Sequence, residues 1–372
     1  MKSRHIGIDW LLVAFMLPVL LAGLVTMKSF TEATPFFSHQ LIWIGISFSV
    51  FFFLSYIDFR FLKRTDVLVG IFGLFSFLLI ALFFFGHTSN GAKSWFSLGG
   101  FSFQPSDMIK LVVVMMLAKY FSRRHVEIDN FKHIFISGLY AFIPFILVFL
   151  QPDFGSAIII LFIWIGMTLV SGISRKHFLL VLGVGVVSFA LLWGLVFQPY
   201  QKARIVNFIR PMADIHGSGY NVYQSTIAVG SGQLVGKGVG FGTQSRLKFL
   251  PEYQTDFIFA AFVEEWGFVG AMILFLLFGL IIWRILSISL LGATNFEILY
   301  GVGLSILFMS HFIINIGMNI GIMPVTGITL PLMSYGGSHL LTEFIGLGIL
   351  MGMNRYRRVA HRDDMRNEFL GI

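Results

Sequence analysis

Cysteine is absent from the 372 residues, which excludes disulfides, thiolate nucleophiles and cysteine-held metals. Charge is scarce as well: Asp, Glu, Lys and Arg make up 12% of the chain, where soluble domains carry about a quarter. What fills the space is apolar, with 56% hydrophobic residues, 44 Phe among them, and a mean hydropathy of +0.84. That balance defines an integral membrane protein. In a soluble chain a net charge of +8 would point to nucleic acid. In a membrane chain the placement of Lys and Arg matters more, and no nucleic-acid partner is expected.

Apolar windows of spanning length fall at 8–27, 39–58, 67–85, 105–122, 134–151, 155–172, 178–197, 257–285, 296–319 and 338–353. The expected fold is therefore an all-α polytopic membrane protein, a single domain over residues 1–372 with ten transmembrane helices. The first window follows MKSRH like a secretory signal, but it is long enough to span and nine more follow, so it is read as retained. The positive-inside rule places both termini in the cytoplasm, because the connections on that side then collect most of the Lys and Arg. The short outer connections hold only Lys28 and Lys93.

A large outer loop, residues 198–255 between helices 7 and 8, breaks that pattern. It carries Lys202, Arg204, Arg210, Lys237, Arg246 and Lys248 against Asp214 and Glu252. Long loops escape the rule, so this excess is permitted as a solvated, headgroup-touching surface. It also suits an anion site: YQKARIVNFIRP groups Lys202, Arg204 and Arg210, and GKGVGFG offers the backbone N–H groups around Gly236, Gly238, Gly240 and Gly242. No strand precedes those glycines, so they are not a dinucleotide fingerprint.

Four more outer segments carry polar groups. In residues 90–111, Pro105 suits the first turn of the fourth helix, and Asp107 and Lys110 stand three apart on one face. They form either an intrahelical ion pair with Lys110 snorkelling, or, with the helix N-terminus, a site for a diphosphate. QPDFGSA makes the turn between helices 5 and 6, with Asp153 placed to cap the next helix. Residues 315–341 gather Pro324, Gly327, Pro331, Gly336 and Gly337 into a broken segment, tolerated at that depth where protein buries it or where it lines a wet cavity. Finally, PEYQTDFIFAAFVEEWG heads the eighth helix with Asp256, Glu264 and Glu265. The two glutamates lie about 12 Å deeper than Asp256 at the helical rise, and are expected in a buried network with Asn315, Asn319 or His311 on helix 9.

Taken in order, NGAKSW and FQPSD..K, QPDFGSA, LPEYQTDFIFAAFVEEWG and PVTGITLPLMSYGGS resemble the SEDS family (shape, elongation, division and sporulation) over nearly the whole chain. PVTG is more similar to the elongation branch, RodA, than to the division branch, FtsW. The resemblance implies a peptidoglycan glycosyltransferase that polymerises lipid II at the outer face of the bacterial cytoplasmic membrane. It also implies that Asp256 is the essential acid and that Lys110 matches the lysine of the QPS motif. The acid of that motif, usually Glu, is Asp107 here. Ser94 stands where the family often has Arg, with Lys93 beside it to supply the charge.

The chemistry asks for the same groups. Joining two sugars needs a base for the acceptor hydroxyl and cations for a departing lipid diphosphate. Asp256 is the expected catalytic base. Lys110, Arg204 and Arg210, with Lys93, Asp107 and Asp153 nearby, are the expected substrate-binding residues, helped by a divalent cation (Mg or Mn) held by carboxylates and phosphate. No nucleotide is required, because the donor arrives activated. Two rival functions use the same features less fully: a flippase for the lipid-linked precursor would want charge at mid-membrane, and a scaffold would need no Asp256. The resemblance further implies a class B penicillin-binding protein as partner, resting on the 198–255 loop. Its helix would pack on helices 8 and 9 at Gly270, Gly279, Gly301 and Gly303.

Overall fold

The computed structural model describes residues 7–29, 36–89, 92–98, 101–123, 131–195, 197, 199–210 and 218–370. Ten long helices occupy the expected windows. They are α1 Trp10–Ser29, α2 Phe36–Ser55, α3 Thr65–Phe85, α4 Pro105–Ser122, α5 Phe131–Phe149, α6 Phe154–Val170, α7 Arg175–Leu195, α11 Ile258–Ser289, α12 Asn295–Asn319 and α13 Gly337–Leu370. Seven of them are long and apolar enough to cross a membrane on that ground alone. α6 is apolar throughout but has only 17 residues, and α4 carries Asp107, Lys110 and Lys119, which lower its hydropathy; packing against their neighbours makes them part of the bundle.

α4 is the axis of the molecule. Its residues from Ile109 to Ala118 are all buried, because α3, α6 and α12 pack around it. A helix apolar on every side belongs inside, and the two charges it carries near its start must then find partners there. α7 is the opposite case, with no residue buried in its apolar stretch. Helix contacts in lipid depend on close approach. At the α2–α13 contact Gly337 lies flat on the Trp43 indole, and any Cβ would strike the ring.

Two connections are more ordered than their sequences announce. Residues 87–103 form an antiparallel sheet, β1 His87–Ser89, β2 Ala92–Leu98 and β3 Phe101–Phe103, with Phe96 opposite Phe103 and Leu98 opposite Phe101. The large connection between α7 and α11 folds into α8 Pro199–Ile209, α9 Ser218–Ser231 and α10 Thr243–Arg246, and α9 packs on α11 and α12. Asp214 lies outside the described residues.

α11 is broken near its start. Gly267 adopts φ 67° and ψ −166°, which frees the carbonyls of Glu264 and Glu265 from their helical partners. The N–H groups of Lys237 and Gly238 take up those carbonyls at 3.0 Å each, and Phe268 and Val269 donate back to Gln233 and Leu234. This strap corrects two sequence expectations. Glu264 does not reach α12; its Oε1 accepts from Lys237 Nζ at 2.7 Å, Thr243 Oγ1 at 3.1 Å and Gln244 N at 3.0 Å. Glu265 Oε1 accepts from Gly240 N at 2.6 Å. Of the glycine N–H groups expected to meet a phosphate, that of Gly238 meets the helix break, that of Gly240 a carboxylate of its own chain, and that of Gly236 the carbonyl of Gly232.

The glycines expected to admit a partner helix also need correcting. Gly301 abuts Ser289 and Leu350, Gly303 abuts Val114 and Met167, and Gly270 lies beneath Trp266 and Phe262. Only Gly279 of the four faces open space.

Candidate active site

At one end of the bundle a cavity of about 930 Å³ collects the polar segments. α2 supplies Trp43 and Ile46, the sheet supplies Ser94 and Trp95, and α4 supplies Asp107 and Lys110. Asp153 comes from the α5–α6 turn, Ser156 from the start of α6, Arg204 from α8, Asp256 from the turn before α11, His311 from α12 and His339 from α13. The broken segment 326–329 closes the wall.

Asp256 is held through its backbone. Its carbonyl accepts from Asn315 Nδ2 at 2.9 Å and Asn319 Nδ2 at 3.0 Å, while Asn319 Oδ1 accepts from Ala260 N at 3.1 Å. The N-cap residue, Phe257, has no side chain that can cap, so Asn319 reaches across from α12 to satisfy an N–H of the first turn of α11. The carboxylate is left to the cavity, with the α-carbon of Gly327 beside Oδ2. Its acidity is pushed up to about 7 from an ordinary 3.8 by burial, then by the charges of Glu252 and Asp153, against the opposing pull of Arg204.

Across the cavity Lys110 is buried. Its Nζ donates to Asp107 Oδ1 at 2.9 Å and lies 3.4 Å from His311 Nε2 and 3.5 Å from Ser156 Oγ. The ion pair expected at i, i+3 forms, but Lys110 does not snorkel; it lines the cavity it was placed to serve. Asp107 Oδ1 also lies 3.7 Å from His339 Nδ1, and the other face of that imidazole is 2.9 Å from Glu343 Oε1. Glu343 Oε2 in turn accepts from Leu332 N at 3.0 Å, tying the broken segment to α13. Asp153 does cap α6, accepting from Ser156 N at 3.1 Å. Its other oxygen takes Gln104 Nε2 at 3.1 Å and Ser106 Oγ at 3.0 Å, joining the α5–α6 turn to the start of α4.

The structure therefore gathers Asp256, Lys110, Asp107, Asp153 and Arg204 around one space. Arg210 ends α8 exposed, away from the lining. Lys93 lies in β2, and its side chain is outside the described residues. Sequence reasoning did not anticipate His339 and Glu343, and it gave Asn315, Asn319 and His311 the wrong partners. The signal was present in the spacing of Asn315 and Asn319, which puts two amides one helical turn apart on the face that meets Asp256. Among the described residues no three His, Asp or Glu side chains cluster as a metal site. Within the pocket Asp107 holds Lys110, and Asp153 holds Gln104 and Ser106.

The geometry defines a pocket in a multi-pass membrane protein, in which a carboxyl group that titrates near neutrality stands across the cavity from a buried lysine. Residues 5–359 match the FtsW/RodA/SpoVE cell cycle protein family, and the chain belongs to that family. It is 36% identical over 371 residues to stage V sporulation protein E of Bacillus subtilis, covering 96% of this chain and 100% of that protein. It is 41% identical over 289 residues to peptidoglycan glycosyltransferase MrdB of Escherichia coli, covering 77% of each. A solved chain from a peptidoglycan synthase complex that coordinates polymerization and crosslinking superposes with a TM-score of 0.81 at 27% identity, over 96% of this chain and 99% of that one.

Proposed function

We propose that the protein is a peptidoglycan glycosyltransferase that polymerises lipid II. The observation that carries this reading is the single cavity in which Asp256, Lys110 and Arg204 arrive from three separate elements. Asp256 takes the proton from the acceptor hydroxyl as that oxygen attacks the donor's anomeric carbon. The bond from that carbon to the diphosphate breaks, and the lipid diphosphate leaves with the bonding pair. Lys110 and Arg204 meet the developing negative charge, where preorganised cations act most strongly. Attack from the face opposite the leaving group inverts the anomeric centre, so an α-linked donor gives a β link. If a divalent cation assists, it draws most of its ligands from the substrate's phosphates.

By the positive-inside pattern the cavity faces outward and both termini are cytoplasmic. The PVTG segment and the likeness to MrdB support a role in cell elongation and shape. A class B penicillin-binding protein fits as partner, since no soluble domain for an acylating serine is visible among the described residues. Its helix would lie on the Gly279 side of α11.

The test is polymerisation of labelled lipid II by the purified chain. Wild type is expected to form glycan strands and Asp256→Asn to form none above background. A wild-type protein that moves lipid II across vesicles without polymerising it, or an Asp256→Asn variant of unchanged rate, overturns the reading.

A further inference from the structure

Residues 233–249 expose more apolar surface than a loop in water should. Val235 is 78% exposed and Phe241 67%, with Leu234, Leu247 and Phe249 also turned outward. The strap is not free to fold these side chains inward, because its backbone is spent on the α11 break at Gly267. That pairing also fixes its depth. From Gly267 to Ser289 α11 runs 23 residues. At the helical rise this is roughly 34 Å, a little more than the ~30 Å hydrocarbon thickness. With one end of α11 at one boundary, Gly267 and the strap bound to it sit at the other.

The surface is continuous with lipid. Phe268 and Val269, whose N–H groups the strap carbonyls hold, are themselves exposed, and Ile273 and Leu276 extend the same apolar surface down α11. Arg246 and Lys248 stand exposed among the apolar residues, where headgroup phosphates would meet them. Large apolar side chains interleaved with cations, at the height where a span leaves the hydrocarbon, are the composition of an interfacial element.

We propose that residues 233–249 are a membrane-seated wedge, inserted at the boundary between headgroups and acyl chains beside α11. Its occupant is the bilayer itself. Because the same residues hold the head of α11 through Glu264 and Glu265, the wedge sets the height of the α11 head relative to the bilayer surface. The proposal does not depend on the catalytic reading.

The absence of cysteine makes the test direct. Single Val235→Cys, Phe241→Cys and, as a water-facing reference, Arg210→Cys variants of the full chain are labelled with an environment-sensitive fluorophore. Each is reconstituted into phosphatidylglycerol–phosphatidylethanolamine vesicles at a low protein-to-lipid ratio, with quenchers placed shallow or deep on the acyl chains. The expected result is blue-shifted emission at 235 and 241, quenched several-fold more by the shallow label than by the deep one, with little quenching at 210. Leu247→Cys replaces either wedge variant if it fails to fold. Water-like, unquenched emission at 235 and 241 overturns the proposal. So does shielding that appears only when a transpeptidase is added, which assigns the surface to that partner, or only with energy transfer between copies, which assigns it to a second chain.

Discussion

A carboxylate that its surroundings keep from ionising is a strong base near neutral pH, and the same surroundings make it unfavourable to the fold. Asp256 has both properties. Rates should rise as pH passes through about 7, where the carboxylate loses its proton. Asp256→Asn should lower turnover by ~10²–10⁴-fold, the usual share of a general base. The stability effect has the opposite sign. A raised folded pKa costs nothing below the ordinary carboxylate range, and the penalty grows with pH until it is complete above about 7. Asp256→Asn should therefore raise Tm at pH 8 and change it little at pH 4, as read by thermal unfolding in detergent. Lys110→Met alone leaves buried Asp107 with His339 as its remaining basic neighbour and should destabilise by ~3–5 kcal/mol, the usual cost of breaking a buried ion pair. Pairing it with Asp107→Asn should recover folded protein, judged by monodispersity, while lipid II turnover stays low. Asp256 was legible in the sequence as an isolated acid at a helix mouth, whereas Lys110 on its own read equally well as half of an intrahelical ion pair and was singled out by the resemblance. His339 and Glu343 were not, because only the packing of α13 against the start of α4 turns them toward Asp107.

Most helices were read to within a few residues because a membrane imposes one length and one composition on every span; α13 is the exception, read as 338–353 but running on to Leu370 through a charged stretch that hydropathy does not register. What the sequence did not announce is where the regular pattern is interrupted. The break in α11 rests on one glycine in a conformation other residues reach only with strain, and a Cβ at Gly267 would also collide with Gly236 N. Gly267→Ala should cost on the order of 3 kcal/mol and loosen the strap, seen as faster proteolysis within residues 233–249. Asn319 links two elements, capping α11 and holding the carbonyl of Asp256. Asn319→Ala should cost about 1–2 kcal/mol and lower kcat more than it changes KM, because the substrate's cations stay in place while the base loses its mooring. Steady-state kinetics on the folded variant separate the two effects. The strands at 87–103 escaped notice because Gly and Ser dominate that stretch and its pairing is local to the cavity rim.

For the whole molecule, the tests concern what surrounds it. If a class B penicillin-binding protein seats on α11 and the α8–α10 cap, the co-purified pair should polymerise lipid II faster than the chain alone, and equal rates would refute activation by the partner. That expectation came from the resemblance, and the fold narrows it by turning Gly301 and Gly303 inward. The moorings of Asp256 also have a consequence for how the protein is made. The carbonyl of Asp256 waits for Asn315 and Asn319, the carbonyl of Gln254 for the N–H of Tyr335 at 2.8 Å, and Asp107 for His339 on α13. During synthesis the ribosome delivers Asp256 and Lys110 before it delivers the residues that hold them. A nascent chain halted after α11 already has Asp256 and Lys110 but no assembled pocket. The site closes only when α13 has entered the bilayer, so an unfinished polymerase has no competent pocket with which to start a strand.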